Sequence, residues 1–448
     1  VLLEFFAENF RSFREGQALD LRACALSDLP EVVRHPPGLK SDSRGVLPAV
    51  AVFGANASGK SSLFMAADFM RTAVLRSASS AVEGAGVLER VPTFRFDPNH
   101  RTAPVTLRVE FLLDSVRHEY GFKLQPRRRG DKLTRVTSEW LRAWPYSRVR
   151  DLFLRGEAAS SAGHEGPWWV SEEAFHGGRR LAADLFEQTR DDVLFLSLAS
   201  QRNQPSAKAI VGWFNEMFMT VWSPEQPTTE RQAIDDPTFL AYLGRLLRAA
   251  DTGIDRVEVR RDEAQEKAFR TRFEKVREML GTPSLPPDVG EFFTVQTLHR
   301  DCNGKETPLD LREESSGTQR LFDLAGPIYD TLRHGRCLWV DELDTAMHHW
   351  LVRTLIRLFQ DPASNPNGAQ LLFTTHDAAV MDPTLLRRDQ IWIVEKDAAQ
   401  GSQLYSLADI DDKPRKGQPL YKSFLSGRYG GVPRLDESVL LDWPRGLK

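Results

Sequence analysis

Val50-Ala51-Val52-Phe53-Gly54-Ala55-Asn56-Ala57-Ser58-Gly59-Lys60-Ser61 reads as a buried strand running into a glycine-rich turn. Four apolar residues in a row suit a strand covered on both faces. From Gly54 to Ser61 the chain fits the phosphate-loop pattern G-x-x-x-x-G-K-[ST] without a mismatch. The next residues, Ser62 to Met70, have helix-forming composition, with Leu63, Ala66, Ala67 and Met70 on one face. Strand, turn and helix is the context such a loop needs, because backbone N–H groups and a helix N-terminus must face an anion. The pattern predicts a nucleoside triphosphate site. Asn56, Ala57, Ser58, Gly59, Lys60, Ser61 and Ser62 are its candidate contacts, with Lys60 reaching the β- and γ-phosphates and the Ser61 hydroxyl a Mg²⁺ ligand.

Cys337-Leu338-Trp339-Val340-Asp341-Glu342 is a second apolar strand, and it ends in two carboxylates. Beside a phosphate loop, Asp341 is the expected partner of Mg²⁺ and Glu342 the candidate base that activates water. The two motifs together predict binding of ATP or GTP, and Glu342 adds hydrolysis.

The 448 residues are 41% hydrophobic and 27% charged, ordinary for a soluble globular chain of two or three structural units. A formal charge of -3 gives no overall positive field for nucleic acid. Three cysteines, Cys24, Cys302 and Cys337, are too few and too scattered for a disulfide framework or a zinc site. With no apolar run near ~20 residues and no signal-peptide pattern at the start, a cytoplasmic location is expected.

Along the chain, Leu2 to Phe6 and Gln17 to Cys24 read as short strands. Val105 to Phe111 and His118 to Leu124 alternate apolar and polar residues and predict an antiparallel hairpin. Arg127-Arg128-Arg129-Gly130 reads as an exposed turn, and the Ala-, Ser-, Gly- and His-rich stretch from Asp151 to Gly178 as a surface loop. From Arg180 to about Leu280 the pattern is mostly helical, with Phe269, Phe273, Val276 and Leu280 as one stripe. Glu291 to Arg300 returns to strand, and Asn303-Gly304 marks a tight hairpin. Leu351, Leu355, Leu358 and Phe359 mark a helix; Leu371 to Thr375 and Ile391 to Glu395 are further apolar strands. Four such strands with polar residues at their C-terminal ends predict a parallel sheet with its site along that edge. His348-His349 is no convincing metal site, since neighbouring helical residues do not face each other. Gln201 reads equally well as an ordinary polar residue and as a link to Mg²⁺.

Just before the Asp-Glu strand lies Glu313-Glu314-Ser315-Ser316-Gly317-Thr318-Gln319-Arg320-Leu321, a polar turn leading into an apolar helix. The order of phosphate loop, Ser-x-Gly-x-Gln, apolar-Asp-Glu, Leu343-Asp344 and strand plus His376 resembles the ATP-binding cassette head of SMC-like ATPases. In that family Ser316, Gly317 and Gln319 would match the signature motif, which meets the γ-phosphate of ATP held by the opposing subunit. Asp344 would match the D-loop and His376 the switch histidine. Thr318 stands where the family usually has a second glycine. Asn9-Phe10-Arg11-Ser12-Phe13 resembles the opening segment of these heads, whose basic residue, here Arg11, lies near the nucleotide base. The stretches Ile391 to Asp397, Leu404 to Leu407 and Leu425 to Pro433 are similar to a bacterial group of AAA-class, ABC-type ATPases. That group includes the ATPases of abortive-infection and PARIS-type phage-defence operons, relatives of the OLD proteins.

The resemblance covers about residues 1–125 and 290–435. It implies an α/β, ABC-type P-loop ATPase head (1–150 and 290–448) with an antiparallel β subdomain, split by a mainly helical insertion (151–289). It further implies ATP and Mg²⁺ as cofactors and slow, assembly-dependent hydrolysis in a homodimer or higher homo-oligomer that sandwiches ATP between heads. Lys60, Glu342 and His376 would be catalytic, and Ser61 and Asp341 would hold the metal. OLD relatives carry a TOPRIM nuclease, which needs a Glu and an Asp-x-Asp pair on a further α/β unit; Asp409-Ile410-Asp411 stands outside any such unit. A separate, nuclease-like effector is therefore expected. The alternative is a repair or segregation ATPase that clamps DNA directly.

Overall fold

A computed structural model describes residues 1–39, 44–79, 86–127, 133–146, 148–171, 175, 178–216, 218–221, 228–280, 291–410, 418–433 and 436. The chain opens with β1 (Leu2–Glu8), β2 (Gln17–Asp20), β3 (Ala49–Phe53) and α1 (Lys60–Arg76). Next come β4 (Val105–Leu113), β5 (Val116–Gln125), β6 (Arg135–Trp144), β7 (Arg150–Gly156), α2 (Glu157–Ser161) and β8 (Trp168–Val170). They lead to α3 (Gly178–Gln188), α4 (Phe195–Gln201), α5 (Pro205–Glu216) and β9 (Phe218–Val221). After these follow α6 (Thr228–Asp235), α7 (Pro237–Ala249), β10 (Arg256–Arg261), α8 (Glu263–Leu280), β11 (Phe293–Arg300), β12 (Glu306–Asp310) and α9 (Ser316–His334). The last elements are β13 (Cys337–Val340), α10 (His349–Gln360), β14 (Gln370–Thr374), β15 (Ile391–Lys396), β16 (Ser402–Ser406) and α11 (Leu420–Leu425).

Two compact units result. The first comprises Val1–Thr220, Leu332–Leu343 and Arg353–Lys448; the second, Val221–Thr331 and Asp344–Val352. The first unit holds a six-stranded sheet in the order β16-β15-β3-β14-β13-β9. β15, β3, β14 and β13 run parallel, and β16 is antiparallel to β15. β3, β13 and β14 are buried at every residue, which explains the unbroken apolar sequences of β3 and β13 and the apolar centre of β14, whose end residues Gln370 and Thr374 are polar and hydrogen-bonded. Val52 stands opposite Thr374, and Phe373 opposite Val340, so three strands reach their C-terminal ends side by side. The expected edge for the site is therefore present.

A seven-stranded antiparallel sheet, β2-β1-β4-β5-β6-β7-β8, completes this unit. β4 and β5 meet at Asp114 and Ser115, both at positive φ (49° and 62°), a two-residue turn whose twist matches the strands it joins. The two sheets are joined by a buried amide: Gln370 accepts from the Leu2 N–H (2.7 Å) and donates to the Leu2 carbonyl (2.9 Å). Trp339, fully buried, sets its ring 5.6 Å from Phe5 of β1 and 5.0 Å from Phe64 of α1. Losing so large a buried ring would cost about 3–5 kcal/mol.

The stretch read as a surface loop from Asp151 to Gly178 instead carries β7, α2 and β8, which extend the antiparallel sheet past residue 150. Polar composition after Gly156 masks a short apolar run, Leu152-Phe153-Leu154, that pairs with β6. Ala158 and Ala159 of α2 are small so that they can pack on Trp140 and Leu154. The Arg127–Gly130 turn falls mostly outside the described residues, as do the side chains of Val276 and Leu280. Among the described residues no helix is long and apolar enough to cross a membrane.

The second unit combines α6, α7, α8 and most of α9 with the small sheet β10-β11-β12. The Asn303-Gly304 turn does link β11 to β12, with Gly304 at φ 76°. α9 contains Pro327, which has no N–H for the carbonyl of Asp323 one turn earlier. The buried hydroxyl of Thr229 on α6 fills that gap, donating to the Asp323 carbonyl (3.1 Å) and accepting from the Gly326 N–H (3.0 Å). Gly326 has no Cβ because one would lie 2.7 Å from the Thr229 hydroxyl.

Burial pushes the Asp323 carboxyl up to about 6, with Glu230 adding to the shift and Arg320 opposing it. A carboxyl raised above its ordinary 3.8 penalises the folded state fully above about pH 6 and not at all below about pH 4. Asp323→Asn should therefore stabilise the protein at pH 7.5, by on the order of 1–2 kcal/mol once screening of a partly exposed group is allowed for. The gain should vanish at pH 4. Urea melts across that range check it, and a gain independent of pH would contradict it.

Candidate nucleotide site

β3 ends at Phe53, and the chain turns at Gly54 (φ 156°), Ala57 (φ 60°) and Gly59 (φ 118°) before α1 begins at Lys60. A side chain at Gly54 would collide with the Val394 carbonyl and the Ser58 hydroxyl, and one at Gly59 with the hydroxyls of Ser402 and Ser12. The glycines therefore let the loop lie against β15 and β16. α1 has no capping side chain, so its leading N–H groups are offered to whatever the loop encloses. The Lys60 ammonium, on a buried stem, donates to the carbonyls of Gly54 (2.8 Å) and Ala55 (3.2 Å) and so lies across the loop. The Ser58 and Ser12 hydroxyls are buried and make no hydrogen bond among the described residues. A concave backbone, an uncapped helix start and a lysine together fit a phosphate chain.

Two remote segments hold this loop. Ser402 donates its hydroxyl to the Ser58 carbonyl (2.6 Å) and its N–H to the Ser12 carbonyl (2.8 Å). Ser12 belongs to a tight turn in which Phe10 and Phe13 exchange N–H···O bonds of 2.9 Å, with Arg11 at φ 52° and its side chain exposed. Asn9 anchors that turn, donating to the carbonyls of His100 (2.8 Å) and Ala103 (2.9 Å) and accepting from the Phe94 N–H (3.2 Å). The Leu425–Pro433 stretch also comes to the loop. Gly431 leaves only 3.5 Å from its Cβ position to the Gly54 Cα, and Phe424 packs on Phe53 at 5.9 Å. Tyr405 fixes this stretch, its hydroxyl sharing one proton between the Glu395 carboxylate (3.0 Å) and the Tyr429 carbonyl (2.9 Å). Burial and the Glu395 charge push that hydroxyl's pKa well up, so it stays a donor.

At the end of β13, Asp341 and Glu342 part company. The fully buried Thr374 hydroxyl donates to the Asp341 carboxylate (2.6 Å) and accepts from the Glu342 N–H (2.7 Å). Glu342 takes the left-handed conformation (φ 50°), and its carboxylate is turned out to 53% exposure. Such a backbone costs an ordinary residue about 1–3 kcal/mol and recurs at functional sites. His376, just past β14, places Nε2 3.8 Å from the Glu342 Oε1. A carboxylate held against the sheet and a more exposed carboxylate beside an imidazole suit metal binding and water activation respectively.

Ser316, Gly317 and Gln319 occupy the first turn of α9. Ser315 caps it, accepting from the Thr318 N–H (3.2 Å) and meeting the Thr318 hydroxyl at 2.9 Å. Thr318 is thus a buried part of the cap rather than a point of close backbone approach. Gly317 is needed as glycine because a Cβ would lie 2.6 Å from the Ala346 carbonyl. That contact joins the first turn of α9 to the loop after Asp344. The Gln319 amide donates to the Glu314 carbonyl (2.8 Å), and Ser316 remains exposed. The His348 and His349 rings do lie close, at 4.2 Å, because His348 precedes α10 instead of sharing its helix.

The family model described as "AAA domain, putative AbiEii toxin, Type IV TA system" matches residues 49–382. The chain belongs to that family. AAA domains of this kind bind ATP with Mg²⁺ and hydrolyse it. The matched span of this AAA domain runs from β3 past His376. Among solved structures, the chain is similar to the SMC head domain from Thermotoga maritima at 12% identity and a TM-score of 0.40, over 90% of this chain and 98% of that one. It is also similar to the SmcHead bound to the C-winged helix domain of ScpA, at 11% identity and a TM-score of 0.38, over 90% of this chain and 97% of that one. No curated protein matches.

Thr374 and Ser402 escape sequence reading, and Ser12 enters it only as a member of the Asn9–Phe13 segment. Their only local mark is a hydroxyl at a strand end or turn. Thr374→Val should remove the hydroxyl's bonds to both the Glu342 N–H and the Asp341 carboxylate, costing about 1–3 kcal/mol of stability. ATP turnover should fall more than ATP affinity. Unchanged melting and turnover would show that the hydroxyl organises nothing.

Proposed function

We propose that this AAA protein is the ATP-binding and hydrolysing regulatory subunit of a bacterial anti-phage defence complex and controls a separate, nuclease-class effector. The observation that carries the ATPase half is the alignment of Gly54–Ser62, Asp341–Glu342 and His376 along one edge of the parallel sheet. The defence half is supported by the family's description, a putative toxin of a type IV toxin–antitoxin system.

In this reading the backbone amides from Asn56 to Ser62 and the Lys60 ammonium cradle the phosphates of ATP. Ser61 and the pinned Asp341 hold Mg²⁺, which neutralises phosphate charge when bound. Glu342 orients the attacking water, and His376, close by, senses the γ-phosphate. Arg11 stands toward the base. Ser316, Gly317, Gln319 and Asp344 meet the nucleotide of a second copy, so that ATP is sandwiched between two heads in a homodimer or larger homo-oligomer. Positioning and electrostatics carry such a reaction, and turnover is slow enough for ATP to act as a switch.

Lys60→Ala should abolish tight Mg·ATP binding in a calorimetric titration, and undiminished affinity would remove the phosphate-loop assignment. Glu342→Gln should keep that affinity while hydrolysis falls by roughly two orders of magnitude or more. Wild-type turnover in this variant would remove Glu342 from its role.

Ser316→Arg should spare ATP binding yet block hydrolysis, and mixing it with Lys60→Ala should restore part of the activity through one intact composite site. Full activity of Ser316→Arg in a monomer would exclude action across subunits. Affinity capture from the host, with and without ATP, tests the effector: a nuclease-like protein is expected. Recovery of duplex DNA alone would favour a DNA-clamping ATPase.

A further inference from the structure

We propose that the groove between α7 and the free edge of β10 binds an extended acidic segment of a partner protein, which adds to β10 as a further strand. β10 is the outermost strand of the sheet β10-β11-β12, and no described strand pairs with its other side. Antiparallel pairing with β11 uses the N–H and C=O groups of alternate residues, and the remainder point away from the sheet. An edge of this kind is a template for another chain.

The edge opens onto a groove of about 610 Å³ whose opposite wall is α7. Leu240 and Gly244 of α7 and Val257 of β10 give it an apolar floor. A Cβ added at Gly244 would meet nothing within 4 Å. Glycine inside a helix costs about 1 kcal/mol relative to alanine, and no neighbour here requires the missing side chain. Its effect is to keep the groove open to a backbone.

The charges select the occupant. Arg245, Arg248, Arg256 and Arg260 line the groove together with Asp255 and Glu258. Glu258 is already paired with Arg256 (2.8 Å) and Arg260 (2.7 Å), and Asp255 with Arg300 (2.5 Å). Arg248 donates to the Asp255 backbone carbonyl, which is neutral, and Arg245 makes no ion pair among the described residues. Positive charge is therefore in surplus at Arg245 and Arg248, which share a face of α7 at i,i+3 spacing, about 5–6 Å between Cβ atoms. Carboxylates at alternate positions of an extended chain are spaced at roughly 7 Å, a comparable interval. Carboxylates in the wall, an apolar floor and unpaired backbone groups suit an acidic peptide better than a phosphate backbone.

The test uses the full chain without nucleotide, so its failure leaves the ATPase reading untouched. A fluorescein-labelled peptide of about ten residues, alternating Glu and Val, is titrated at low and high salt and followed by anisotropy. Saturable binding weakened by salt is expected, with Gly244→Leu and the double variant Arg245→Glu/Arg248→Glu each at least about tenfold weaker. Circular dichroism melts of both variants should match the wild type or lie above it. Equal binding by wild type and variants, or none by the wild type, overturns the proposal. So does tighter binding of a single-stranded oligonucleotide than of the peptide, or a homo-oligomer that the charge reversal dissolves, since another occupant would then fill the groove.

Discussion

Thr374 sits where the site is decided. Its hydroxyl, buried at the end of β14, is a donor to Asp341 and an acceptor from the Glu342 amide. One small group thus assigns different fates to two adjacent carboxylates. Asp341 is drawn in against the sheet, while the left-handed backbone at Glu342 turns the second carboxylate out toward His376. A valine has the same shape and could make neither bond. The arrangement holds because β13 and β14 are covered on both faces, so packing leaves their relative register no freedom.

The loop after β3 depends on close approach. Gly54 and Gly59 have no room for a side chain, and what fills that room comes from distant parts of the chain. Ser402 bonds both the loop and the Asn9–Phe13 turn, and Gly431 brings a late segment to within contact of Gly54. The Asn-Phe-Arg-Ser-Phe opening and the Arg-Tyr-Gly-Gly segment therefore have a physical reason to accompany a phosphate loop: they are its supports. In the second unit the same economy appears around Pro327, where a threonine hydroxyl from α6 supplies the hydrogen bond that the proline removes.

Consecutive residues and simple periods determined much by themselves. Gly54–Ser61 is a contiguous pattern whose strand and helix follow from local apolar spacing, and it emerged as written. The parallel strands, the β4–β5 hairpin and the Asn303-Gly304 turn were legible for the same reason: their signals lie within a few residues. β7 and β8 were not, because short strands inside a polar stretch gain their stability from the sheet they join. β10, the third strand of the sheet that the Asn303-Gly304 hairpin begins, was hidden in a stretch whose composition favours helix. Tertiary structure alone decided that Thr374 meets Asp341 across 33 positions and that Ser402 meets Ser58 across 344. A hydroxyl carries no record in the sequence of the partner it will meet. Burial away from water is what obliges it to find one, and only the packed chain determines where that partner stands.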